Sequence, residues 1–171
     1  MASILRNALL KEGNHSISNI NSIWYRPLTN GAIAETDMEN GALVELDGRD
    51  SEGNLKCKYY TGTGDFYILN NYAEDELLTD MGETDYKNFY VGKDEMCNLA
   101  IYDKGLRQET SLYTVDSGVS ALALDLPVEW DASAHKFKVV ASSSSAIATV
   151  VGIDTDFGYN AGTQTIRIQY K

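Results

Sequence analysis

Residues 165–170, Thr165-Ile166-Arg167-Ile168-Gln169-Tyr170, alternate without a fault: Ile166, Ile168 and Tyr170 take one side and Thr165, Arg167 and Gln169 the other. An extended backbone turns successive side chains to opposite faces, so this stretch reads as a β-strand with one apolar face. Similar patterns recur at 42–46, 55–61, 66–69, 99–103, 111–115, 137–141 and 146–153. Asn40-Gly41, Asp47-Gly48 and Thr61-Gly62-Thr63-Gly64 punctuate them as turns. With 14 glycines, 11 tyrosines and two prolines, the chain is written for short strands rather than long helices. The expected fold class is mainly β: a compact β-barrel or β-sandwich-like domain with an extended N-terminal arm and at most one or two short helices.

Working outward, Ser142-Ser143-Ser144-Ser145 joins two β-prone stretches and reads as the loop of a hairpin. Thr61-Gly62-Thr63-Gly64-Asp65 reads as the turn of another, because no lysine follows it as a phosphate-cradling loop requires. Three parts stand outside the strand series. Residues 1–30 form an arm whose apolar side chains Ile4, Leu5, Leu9 and Leu10 have no core of their own. The two readings are a docking arm that orders against a neighbouring subunit or partner and a short helix packed on the same domain. Residues 73–81 suit a short acidic helix in which Leu77 and Leu78 sit among Glu74, Asp75, Glu76 and Asp80. Residues 117–127 suit a buried connector or a strand, with Pro127 placing an edge or a bend at its end. The remainder, 31–171, is one β-rich domain or two subdomains that part near 106–127.

At 171 residues and 43% hydrophobic, the chain can bury one ordinary core. It contains no run of apolar residues long enough for a membrane span, and no membrane partner is expected. The formal charge of -11 repels phosphate backbones and argues against nucleic acid as a partner. Residues 1–11 lack the charge and cleavage pattern of a secretory signal, so the expectation is a protein made in the cytoplasm of the producing cell. Cys57 and Cys97 lie far apart and are expected as free thiols, while His15 and His135 fall in unrelated surroundings.

Catalytic anchors are sparse. The sequence has no GxSxG elbow, GxxxxGK[ST] loop, HExxH helix or CxxC pair, so no catalytic residue, metal ligand or cofactor is assigned and an enzyme is not expected. Residues 47–54 and 154–158 offer alternating oxygens, but neither matches a twelve-residue calcium loop, and turns explain them better. Glu129 and Asp131 could serve glycoside hydrolysis only across a cleft of suitable width. The tyrosines of the middle third, Tyr59, Tyr67, Tyr72 and Tyr90 among them, suit either a protein-binding face or the filling of a pleated sheet.

The phrase Glu39-Asn40-Gly41-Ala42-Leu43-Val44-Glu45-Leu46-Asp47, the step Asp103-Lys104-Gly105, Lys136-Phe137-Lys138-Val139-Val140 and 161–169 follow one another in an order that resembles head decoration or auxiliary structural proteins of tailed bacteriophages. Leu106-Arg107 and the acidic insert at 75–85 depart from that pattern. The resemblance implies a non-enzymatic virion protein on the capsid exterior. Such a protein binds the phage major capsid protein, often as a homotrimer at local three-fold positions, and cements neighbouring subunits, here with the arm as its docking element. The alternative reading is a tail, baseplate or head-fibre component with a carbohydrate-binding β-domain, in which Trp130 and the tyrosines line a sugar platform.

Overall fold

A computed structural model describes residues 16–20, 26–71, 90–155 and 163–171, and among these it is all β. One sheet has the strand order β2 (Arg26–Pro27), β8 (Leu99–Ile101), β6 (Tyr67–Leu69), β4 (Leu43–Arg49), β5 (Leu55–Tyr59), β3 (Ala32–Ala34), β7 (Met96–Cys97). The other runs β1 (Ser18–Ile20), β9 (Arg107–Thr110), β14 (Thr165–Tyr170), β13 (Ala148–Asp154), β11 (Pro127–Asp131), β12 (Lys136–Val139), β10 (Tyr113–Val115).

Both sheets must curl. β2 and β3 stand five strand spacings apart, about 24 Å in a flat sheet. Only residues 28–31 join them, a link that reaches at most about 17 Å fully extended. β7 and β8 are equally far apart in the order, yet Asn98 alone separates them in sequence. In the other sheet, Ser111 and Leu112 carry the chain from β9, second in the order, to β10 at its far end. The ends of each sheet are therefore drawn together by chain, not by a closing ladder. The result is sandwich-like, with neither sheet a closed barrel.

The two sheets share one plan. In the first, β3, β5, β4, β6, β8 and β2 are successive neighbours; in the second, β10, β12, β11, β13, β14 and β9. The opening pair of each series is parallel and the other four pairs are antiparallel. The register also repeats: Val44, Glu45 and Leu46 face Tyr59, Lys58 and Cys57, as Val128, Glu129 and Trp130 face Val139, Lys138 and Phe137. The sequence carries the same echo in Val44-Glu45-Leu46-Asp47 against Val128-Glu129-Trp130-Asp131, and in Lys56-Cys57-Lys58 against Lys136-Phe137-Lys138. Each six-stranded unit has one extra strand, β7 against β3 in the first and β1 against β9 in the second. The chain passes between units at residues 102–106.

Alternation explains how the units pack. In the first, Ala32, Ala34, Val44, Cys57, Leu69, Cys97 and Leu99 fill the inside of the curl, with Met38 and Val91 beside them. Their neighbours Leu43, Ile68 and Ala100 point the other way and join Val128, Phe137, Val139, Val150, Ile166, Ile168 and Tyr170 of the second unit. The central strands of the first sheet are thus buried on both faces, which is why Leu43-Val44 and Ile68-Leu69 read as unbroken apolar pairs. Polar bonds fix the contact. The Gln108 amide donates to the Gly41 carbonyl at 2.7 Å and to Ser18 Oγ at 2.9 Å, and its oxygen accepts from the Tyr170 hydroxyl at 2.5 Å. Trp130 Nε1 donates to the Tyr60 carbonyl at 2.9 Å. Gly41 is required at its place: φ is +83°, and an added Cβ would lie 2.2 Å from Ser18 Oγ.

Several expectations change. The strands on either side of the serine loop do not form a hairpin, because β11 lies between β12 and β13 and pairs with both. The same is true of the Thr61–Asp65 loop, since β4 separates β5 from β6. In each case the central strand precedes the other two, so the later loop must pass across it. Pro127 begins the interior strand β11, where a missing N–H is tolerated. Residues 116–126 are a loop rather than a buried connector or strand, with Leu124 58% exposed. The expected helix at 73–81 and residues 1–15 of the arm lie outside the described residues, whereas β1 and β2 at 18–20 and 26–27 are sheet strands.

Replacing Gln108 by leucine keeps the volume but strands the Gly41 carbonyl and the Tyr170 hydroxyl. The expected loss is about 2–4 kcal/mol. Urea unfolding followed by tryptophan fluorescence checks it, and an unchanged midpoint would rule out the clasp.

Candidate functional site

The outward side of each unit carries charge in a repeated arrangement. On the first, Lys58 Nζ lies 2.9 Å from Asp47 and 3.6 Å from Glu45, and Lys56 pairs with Glu35. On the second, Lys138 Nζ lies 2.7 Å from Asp116. These pairs are solvent-exposed and contribute little stability singly. The glutamates of the two central strands have a further task. Glu45 accepts from the Thr61 amide at 3.0 Å and its hydroxyl at 2.8 Å. Glu129 accepts from the hydroxyls of Ser143 and, at 2.8 Å, Ser145. Each carboxylate therefore pins the loop that crosses its own strand.

The electrostatics follow from these bonds. The Ser143 and Ser145 hydroxyls hold the Glu129 carboxyl below the usual glutamate range. Burial pushes Glu45 upward, but bonds from Thr61 and the charge of Lys58 outweigh it and leave that carboxyl lowered as well. Asp131 accepts from Ser133 Oγ at 2.6 Å and from the amides of Ser133 and Ala134 at 2.9 and 3.0 Å, which closes the turn into β12 and lowers its carboxyl. Glu129 and Asp131 are thus both held ionised, the opposite of what a glycosidic general acid needs. Asp50 serves the 50–54 turn in the same manner, accepting from the amides of Glu52 and Asn54 at 2.9 Å and from Asn54 Nδ2 at 2.9 Å.

Of the aromatic residues singled out in the sequence, Tyr59 and Tyr67 are half-buried and Tyr90 is buried. Tyr59 packs against the core of the first unit, stacks on His135 of the second with ring centroids 3.9 Å apart, and accepts from the Glu39 amide at 2.9 Å. Burial pushes its phenol up to about 12. Tyr67 packs against the same core and Tyr90 is buried. Tyr72, Ile4, Leu5, Leu9 and Leu10 lie outside the described residues. Trp130 is partly buried: it packs edge-on against Phe137 at the margin of the core, with its N–H bonded to the Tyr60 carbonyl.

The large apolar side chains exposed among the described residues are Met96, Val115, Leu124 and Ile153. Val115 stands on β10, at the end of the second sheet's strand order, and the loop that follows carries Leu124. Leu124 itself lies by β13, since the Asp125 amide donates to the Val150 carbonyl, so the apolar side chain at the sheet's edge is Val115 alone. An edge strand of that kind is a surface suited to another protein. The sequence reading took 111–115 as an ordinary strand and 117–127 as buried. What hid the surface is that β10 pairs in parallel with a strand more than twenty residues later, a placement periodicity does not report.

Because the folded value of Glu129 is lowered, its contribution is complete above the ordinary glutamate value and disappears as pH falls through the lowered one. The fall in urea midpoint from about pH 6 to about pH 3 should be smaller for Glu129→Gln than for the natural protein. Parallel pH profiles would show that the serine tether carries no linkage.

Known proteins place this geometry in a family. A family model described as YonC prophage protein matches residues 11–171. The chain is also similar to the SPbeta prophage-derived uncharacterized protein YonC of Bacillus subtilis (strain 168), with 28% identity over 180 positions that cover 99% of this chain and 98% of the relative. The whole two-unit scaffold falls within that match, and the chain belongs to the YonC prophage protein family, of phage origin.

Proposed function

We propose that this phage-derived protein is a virion component that binds the outer surface of an assembled capsid and steadies contacts between major capsid subunits. The observation that carries the reading is the edge strand β10, which ends the second sheet's order with Val115 exposed, on an acidic protein of phage origin. The net charge of -11 suits an exterior protein, since it favours solubility and disfavours adsorption to DNA. A twice-built β scaffold, locked by buried polar bonds, offers a surface that does not have to be ordered on binding, which lowers the cost of association. Assembly as a trimer would let several such edges engage equivalent capsid sites at once, so that each contact can be weak.

Mixing the purified chain with undecorated shells of its phage should give saturable co-sedimentation. Val115→Asp, at that exposed edge, should weaken it by about tenfold or more. Deletion of residues 2–12 tests the arm separately. Light scattering of the free protein should return the mass of three chains. Failure to co-sediment with intact shells overturns the capsid assignment.

A further inference from the structure

The inside of the first unit contains a pair of thiols that the proposed function does not use. Cys57 on β5 and Cys97 on β7 flank β3, opposite Ala34 and Ala32 respectively. All four side chains are fully buried in the same cluster. Because β3 carries only alanine at these two positions, the sulfurs meet above it, with Sγ to Sγ at 3.4 Å. The Cys97 thiol donates to the Ala32 carbonyl at 3.1 Å, which leaves Cys57 as the donor between the two sulfurs. In the second unit the position matching Cys57 holds Phe137, which fills its own curl without help from a further strand. The pair therefore belongs to the place where the extra strand β7 is added.

We propose that Cys57 and Cys97 are a reversible disulfide site that staples β7 across β3 to β5, with a low-molecular-weight disulfide as oxidant. The sulfurs need to close from 3.4 Å to the disulfide length of about 2.0 Å. Because β3 stands between β5 and β7, two spacings or about 10 Å in a flat sheet, the backbones must also approach to the roughly 4.4–6.8 Å a disulfide spans between Cα atoms. Movement of β7, which ends the strand order with Met96 exposed, has to supply this. It must strain the bonds that continue the strand on either side, Asp94 and Glu95 to Ala34 and Asn98 to Asn70 and Asn71. Gly31 sets the limit on the other side, since an added Cβ there would lie 2.2 Å from the Cys97 carbonyl oxygen.

The exchange balances in two steps. The Cys97 thiolate attacks the small disulfide, forming a mixed disulfide and expelling one thiolate. The Cys57 thiol then gives up its proton, its sulfur attacks Cys97 Sγ, and a second thiolate leaves. In sum, two protein thiols are oxidised, one small disulfide is reduced to two thiols, and the two protons pass to the leaving sulfurs. Cys97 acts first because it lies on the movable strand. Donation toward Cys97, together with burial, also pushes the Cys57 thiol up and leaves it the poorer nucleophile until the mixed disulfide forms. A reducing cytoplasm keeps the pair as thiols, and an oxidising medium outside the cell closes it.

The test uses the full chain, reduced and then incubated under native conditions with oxidised glutathione. Thiols titrated in denaturant should fall from two to none, with no glutathione retained and no covalent dimer, and peptide mapping should link Cys57 to Cys97. The bond closes a loop of about forty residues, so the thermal midpoint should rise by roughly 5–10 °C and return on reduction. Cys97→Ser should abolish the shift. If that variant does not fold, the peptide map of the natural chain decides alone. Two thiols that survive native oxidation while the unfolded chain oxidises, stable glutathione adducts, or a disulfide between chains would each overturn the proposal.

Discussion

A buried amide, Gln108, ties the second sheet to the turn that opens the central strand of the first, and Trp130 bonded to the Tyr60 carbonyl adds a second polar link. Gln108 sits where hydrophobic packing alone would leave the sheets free to slide, and its three bonds reach the turn before β4, the strand β1 and the hydroxyl of Tyr170. An apolar interface is indifferent to small rotations, whereas a carbonyl, a hydroxyl and a phenol that must all be satisfied together accept one placement. Gly41 makes that placement possible by keeping its Cβ position empty beside Ser18. Around this clasp the first sheet is buried on both faces, and its central strands link its own interior to the core shared with the second unit.

The duplicated plan shows which features the scaffold requires and which are local. Both units place a glutamate on the central strand, opposite a lysine, and use it to tie down the loop that must cross that strand. The crossing follows from strand order, and the tether answers it with Thr61 in one unit and with Ser143 and Ser145 in the other. The interiors diverge. The second unit fills its curl with Trp130 and Phe137, while the first has Leu46 and Cys57 at the matching positions and admits β7 with Cys97. Smaller side chains leave room for an extra strand, and that strand brings the second thiol.

Some of this was legible in residue order. β14, β12 and β13 have one face turned to a core, and their alternation shows it. β9 was not read, because Arg107-Gln108-Glu109-Thr110 contains no apolar residue, although three of the four are buried. Their burial depends on partners far along the chain: Gln108 on Tyr170, and Glu109 on Arg167 and Thr165. The two expected hairpins were misassigned for a related reason, since adjacency in sequence is a good guide to pairing until a third strand comes between. The echo of Val-Glu-x-Asp and Lys-x-Lys is visible in the chain, but five matching residues carry weight only once their shared register is known.

By itself the sequence determined that the chain is β-rich, acidic and punctuated by turns, because strand alternation, net charge and glycine-bearing turns are local properties. Tertiary structure decided that the strands form two curled units on one plan, that Tyr60, Tyr90 and Tyr170 are buried while Trp130 packs at the core's margin, and that two cysteines forty residues apart touch. Those outcomes depend on which strands become neighbours. That choice is made by burying both faces of the first sheet while bonding Gln108 to Gly41 and Trp130 to Tyr60 between the units, a condition on the whole chain rather than on any stretch of it.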